Sequence, residues 1–125
     1  MKLATSTGDF DLYSNDYLEK VRLVQEAGFR YIDLSLYTVR ENDPLILADN
    51  WRETAEILKN YAAENGLQFV QSHSPNTNPL GGPEAFETAV FQTIRAIEVC
   101  GFLGIPNMVV HPGWDPAISK EEWFA

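Results

Sequence analysis

His73 and His111 are the only histidines in the 125-residue chain, and each closes a short apolar run: Phe69-Val-Gln-Ser-His-Ser-Pro75 and Asn107-Met-Val-Val-His-Pro-Gly113. Both runs read as strands. Proline follows each histidine within two residues, so both imidazoles fall where a strand hands over to a loop. In parallel α/β proteins ligands bind at that carboxyl edge, because strand ends fix side chains while the following loops vary. Neutral imidazole is a common ligand for ions such as zinc and manganese. Two of them at equivalent ends of successive strands suggest half of a metal or catalytic site. Catalytic zinc usually has three protein ligands, so further ligands would have to come from elsewhere. The competing reading is that each histidine caps its strand through hydrogen bonds to loop backbone.

Other side chains cluster around these two. Alternation in Tyr31-Ile-Asp-Leu-Ser-Leu36 sends Ile32, Leu34 and Leu36 to one side and Asp33 and Ser35 to the other. By the same parity Gln71 and His73 share a side, as do Asn107, Val109 and His111, leaving Met108 and Val110 to pack on helices. Asp33 is a candidate substrate ligand, or a buried acid hydrogen-bonded inside the sheet. Asn76, in the polar loop Ser74-Pro-Asn-Thr-Asn78, could hydrogen-bond a polyol, or the loop is a plain connector. Trp114, in His111-Pro-Gly-Trp-Asp115, could stack on a sugar ring or anchor the loop on the rim. Asp115 would add a carboxylate near His111. Cys100 reads as core packing.

The elements that must position these residues alternate regularly. Residues 2–6 form a first strand. Asp16 with Glu19 has capping-box spacing, Leu18, Val21 and Val24 share a helical face, and Ala27-Gly28 ends that helix. The second strand is 31–36. Asn50 with Glu53 repeats the capping spacing, and a helix carrying Ala55, Leu58 and Ala62 runs to about Asn65, where Gly66 stops it. Strand three is 67–72. Gly81-Gly-Pro83 opens a third helix whose face is Phe86, Val90, Ile94 and Ile97, closed by Gly101 and Gly104. Strand four is 105–110, and Ser119-Lys-Glu-Glu122 announces a fourth helix, with the chain ending at Ala125 after barely one turn. The order β-α-β-α-β-α-β implies parallel strands with helical crossovers. Polar residues at the upper interior fit a barrel better than an open sheet covered on both faces.

Composition sets the outer limits. One domain, 1–125, is all the length allows. Eighteen acidic against nine basic residues give a net charge of −9. No basic stripe suited to phosphate backbones is visible, so nucleic acid is not an expected partner. A neutral or polyol substrate or a metal cation suits the surface better. There is no apolar run of membrane-spanning length and no signal-peptide pattern, and a lone cysteine agrees with a reducing compartment, so the expected location is cytoplasmic. Glycine-rich nucleotide loops and a nucleophile elbow are absent.

Glu26-Ala-Gly-Phe-Arg-Tyr-Ile-Asp-Leu34, Val70-Gln-Ser-His-Ser-Pro75 and Val109-Val-His-Pro-Gly113, in this order, resemble the xylose isomerase-like TIM-barrel superfamily. That group includes sugar phosphate isomerases/epimerases and the endonuclease IV type of repair enzyme. The resemblance covers almost the whole chain but only the first half of a (β/α)8 barrel. It implies a fold of four parallel strands alternating with helices, a carbohydrate substrate, and a divalent ion (zinc, manganese or magnesium), with His73 and His111 at matching metal-binding positions. The leading expectation is a sugar isomerase/epimerase-like protein performing metal-assisted proton transfer next to a carbonyl, its acid/base carboxylates on later strands. A second is an endonuclease IV-like metal-dependent phosphodiesterase. A third is a non-catalytic half-barrel that self-associates to close the barrel, since two sheet edges stay unpaired.

Overall fold

Each apolar stripe in the chain can be buried only by laying helices along one side of a sheet. The computed structural model, which describes residues 3–123, does this with four parallel strands in the order β1-β2-β3-β4. The elements run β1 (Ala4–Ser6), a short 3-10 turn (Thr7–Phe10), α1 (Tyr17–Glu26), β2 (Tyr31–Ser35), α2 (Trp51–Glu64), β3 (Gln68–His73), α3 (Pro83–Leu103), β4 (Met108–Val109) and α4 (Lys120–Trp123). Sequential neighbours pair throughout, as in half of a (β/α)8 barrel. The expected strand start at Lys2 lies outside the described residues.

The core lies between sheet and helices. Ile32, Leu34 and Leu36 are fully buried there with Val21 and Val24 from α1, Ala55 and Leu58 from α2, and Ala96 and Val99 from α3. Asp16 caps α1, its Oδ1 accepting from the Glu19 amide at 2.7 Å. Asp43 anchors the loop between β2 and α2. Buried at 4% exposure, it accepts from Tyr17 Oη (3.0 Å) and from the amides of Leu45 (3.0 Å) and Ile46 (2.9 Å). Burial, reinforced by the Asp43 charge, holds the Tyr17 phenol far above its ordinary pKa, so it stays a hydrogen-bond donor.

Several expectations are corrected. Asn50 forms no side-chain cap; its Nδ2 donates to Glu53 Oε2 instead, so this pair meets side chain to side chain. Leu67 belongs to the α2 terminus, its amide bonding to Ala62 O, and β3 reaches one residue further, to His73. Gly101 is inside α3, and Gly104, left-handed at φ 70°, is the cap. The largest correction concerns α3. Phe86, Val90, Ile94 and Ile97 are exposed, and the buried face is Ala89, Ala96, Val99, Cys100 and Leu103. Both faces are apolar, and the smaller side chains let α3 sit close to its neighbours. β4 is two residues long and, among the described residues, pairs with β3 alone, through Ser72↔Met108 and His73↔Val109.

Candidate functional site

The alternation of β2 does place Asp33 and Ser35 away from the helix-packed face, yet both are only 9% exposed. Opposite them, β3 solves a parity problem. Ile32 pairs with Phe69 but Asp33 pairs with Gln71, so Val70 is passed over in the register. This one-residue shift lets Phe69 enter the core while Gln71 and His73, of the same parity, turn toward Asp33. Irregularities of this kind re-aim side chains near functional edges.

The result is a joined constellation. Asp33 Oδ2 accepts from Gln71 Nε2 at 2.8 Å. His73 Nδ1 lies 3.1 Å from Asp33 Oδ1 and 3.0 Å from Oδ2. In the neutral ring, a carboxylate against Nδ1 favours the tautomer with its proton there, which leaves Nε2 as the acceptor. The imidazoles of His73 and His111 stack, with centroids 5.7 Å apart and planes 19° from parallel. Tyr37 closes against His111 edge-on at 5.2 Å. His111 Nε2 is buried without a hydrogen-bond partner among the described residues. Such an atom costs about 1–3 kcal/mol when left unpaired, which a ligand supplying the partner would recover.

Three of the five residues singled out from sequence therefore meet: Asp33, His73 and His111. Trp114 and Asn76 are not drawn into this group. Trp114 is 63% exposed, and its backbone is clasped by Asn78, whose Nδ2 donates to Trp114 O (2.8 Å) and whose Oδ1 accepts from Trp114 N (3.0 Å). Asn76 is exposed and contributes its amide to Tyr37 O at 2.9 Å. Asp115 accepts from the Ala117 amide and so shapes its own turn. Sequence reasoning missed Tyr37, although it continues the Asp33, Ser35 alternation by one more step. Gln71 was placed on the right face without its role as the second donor to Asp33.

The donor chemistry can be weighed against a metal ion. His73 Nε2 and His111 Nε2 are imidazole nitrogens of suitable type, and a carboxylate behind Nδ1 is a common support for a ligating histidine. Among the described residues, however, no group of three or more His, Cys, Asp or Glu is placed to hold an ion. Two imidazoles fall short of a catalytic shell, so these residues alone do not fit a metal centre. Also among the described residues, no helix is long and apolar enough to cross a membrane.

A family model described as xylose isomerase-like TIM barrel matches residues 21–125. The chain belongs to that family. Among solved structures, the probable 3-DHS dehydratase AsbF of Bacillus anthracis, involved in petrobactin synthesis, is similar with a TM-score of 0.65 and 18% identity. The match covers 98% of this chain and 43% of that one, so the chain spans less than half the length of AsbF. At this identity the likeness is one of fold. No curated protein is a significant match to the sequence. As a member of the xylose isomerase-like family, the chain supplies four βα units and the polar groups at their carboxyl edge.

Proposed function

We propose that the chain carries part of a carbohydrate-binding site of sugar isomerase/epimerase type, built on His73, Asp33 and His111. One observation carries this reading: two stacked imidazoles at the carboxyl edge, one tied by Asp33 at 3.0 Å and the other with an unpaired buried nitrogen. Proton transfer next to a carbonyl needs a hydrogen-bond acceptor aimed at a substrate hydroxyl and a surface that orients the carbon frame. In this reading His73 Nε2 accepts that hydrogen bond or proton, Asp33 steadies the ring, and His111 and Tyr37 form the wall beside it. Trp114 and Asn76, on neighbouring loops, are proposed to touch substrate only after loop movement.

The test is a panel of ketoses and aldoses incubated with the protein and Mn²⁺ or Zn²⁺ in deuterated water. Deuterium entering next to the carbonyl, and lost in His73→Ala, supports the reading. Incision of an abasic duplex without exchange in any sugar would contradict it in favour of a phosphodiesterase. The net charge of −9 opposes that alternative, since a phosphate backbone is repelled by such a surface.

A second reading rests on a different observation. Phe86, Val90, Phe91, Ile94 and Ile97 on α3 and Val110 beside β4 are all more than two-fifths exposed. Contiguous apolar surface of this kind marks an interface. Among the described residues, β1 and β4 each have a strand on one side only. We propose that a second copy of this chain is the partner, since pairing β4 of one with β1 of the other about a two-fold axis doubles four parallel strands to eight. Sedimentation velocity would give a dimer that Ile94→Asp disperses; a monomer at all concentrations would contradict this.

A further inference from the structure

We infer that Gln71 is a positioning residue whose amide, by holding Asp33, decides which ring nitrogen of His73 is free to meet a ligand. The inference deepens the reading of this site given above and rests on it for its functional meaning. Its chemistry stands on three side chains. Asp33 is 9% exposed, so water does little to orient its carboxylate. Gln71 Nε2 reaches Oδ2 at 2.8 Å, and His73 Nδ1 sits 3.0–3.1 Å from both carboxylate oxygens.

The order of these residues matters. Asp33 pairs directly with Gln71 in the sheet, whereas His73 pairs with Ser35. Gln71 is therefore the cross-strand neighbour of Asp33, while His73 approaches it diagonally, over the longer of the two spans across a sheet. A diagonal contact is the one that loosens when the carboxylate rotates. With its amide on Oδ2, Gln71 removes that rotation, and the carboxylate stays turned toward Nδ1. A proton on Nδ1 leaves Nε2 with a lone pair. Among the described residues His73 is hydrogen-bonded through Nδ1, so Nε2 is the nitrogen that a substrate hydroxyl would find. The register shift at Val70 belongs to the same device, because without it Gln71 would not stand opposite Asp33.

The experiment is long-range ¹H–¹⁵N correlation of the imidazoles in the full chain, above the titration range of both rings and without ligand. The wild-type protein should show His73 with Nδ1 protonated and Nε2 bare. Gln71→Met keeps the length of the side chain and removes the donor. His73 in that variant should shift to a mixture of both tautomers, moving in the same direction as in Asp33→Asn, while the His111 signals and the amide dispersion stay close to wild type. Gln71→Met spectra with His73 unchanged would overturn the inference. So would a wild-type His73 carrying its proton on Nε2, a result that needs no variant to fold. Neither outcome depends on sugar chemistry. A clean tautomer result beside an inert sugar panel would retire the isomerase reading alone, and the reverse would retire the role of Gln71 alone.

Discussion

The β2–β3 seam and the α3–β4 flank both carry runs of large apolar side chains, yet these end in opposite conditions. Along the seam, Ile32, Leu34 and Leu36 are fully buried, and β2 pairs with β3 from Tyr31↔Gln68 to Ser35↔His73 across the one-residue shift at Val70. On the flank, β4 holds two residues, Val110 is 54% exposed and Ile97 is 56% exposed. The seam has helices on one side and strands at both edges. Among the described residues the flank has a neighbouring strand on one side only. Burial is thus a property of what stands opposite a residue, and the same side-chain type is core in one place and interface in the other.

The two regions should respond unequally to the same insult. Leu34→Ala in the seam should cost about 3–5 kcal/mol in urea unfolding, the range for emptying a closed core site. Ile97→Ala on the flank should stay within about 0.5 kcal/mol for the monomer, as surface changes do. Equal losses would erase the distinction drawn here. Asp43→Ala should follow closely, because it strands the Leu45 and Ile46 amides and the Tyr17 hydroxyl. At about 1–3 kcal/mol for each buried donor left unpaired, a loss near 3 kcal/mol is expected in the same assay.

A smaller effect is expected on the flank loop. A Cβ on Gly113 would lie 2.8 Å from Asn78 Oδ1 and 2.9 Å from the Pro79 ring. Gly113→Ala should break the clasp of Asn78 on Trp114 and cost about 1–3 kcal/mol, the range for overpacking. The Trp114 fluorescence maximum would report the altered loop. Smallest in energy is Cys100, under the seam. Burial pushes its thiol up, partly offset by a hydrogen bond with Ser72. Since only the thiolate attacks, alkylation should be slower than for a free thiol at any given pH and should rise only at more alkaline pH. Thiol modification as fast as in urea-unfolded protein would contradict that placement.

The sequence made the architecture readable wherever one physical signal sufficed. Strict alternation located β2 and its inward Asp33, glycine in the left-handed region ended helices at Gly28 and Gly66, and Asp16 capped α1, although its own amide bonds to Ser14 Oγ and not to the Glu19 side chain. It also brought His73, His111 and Asp33 toward one edge, which is where they meet. Legibility failed where two signals competed. On α3 an apolar stripe exists on both sides, and periodicity cannot choose between them. At Asn50 capping spacing was present, but the side chain met Glu53 instead of the backbone. The register shift at Val70 has no marker in residue type, so the pairing of Gln71 with Asp33 could not be read from parity. Trp114 and Asn76 were chosen for chemistry alone, and loop geometry decides where such residues point.

The account depends on the two imidazoles sharing one place at the end of the sheet. A NOESY spectrum of the full chain tests this directly, because rings stacked with centroids 5.7 Å apart bring their carbon-bound protons within reach of one another. Cross-peaks between the His73 and His111 rings, with further ones from His111 to the Tyr37 ring, are the predicted result. Ring protons of both histidines fully assigned and showing no mutual cross-peak would contradict it.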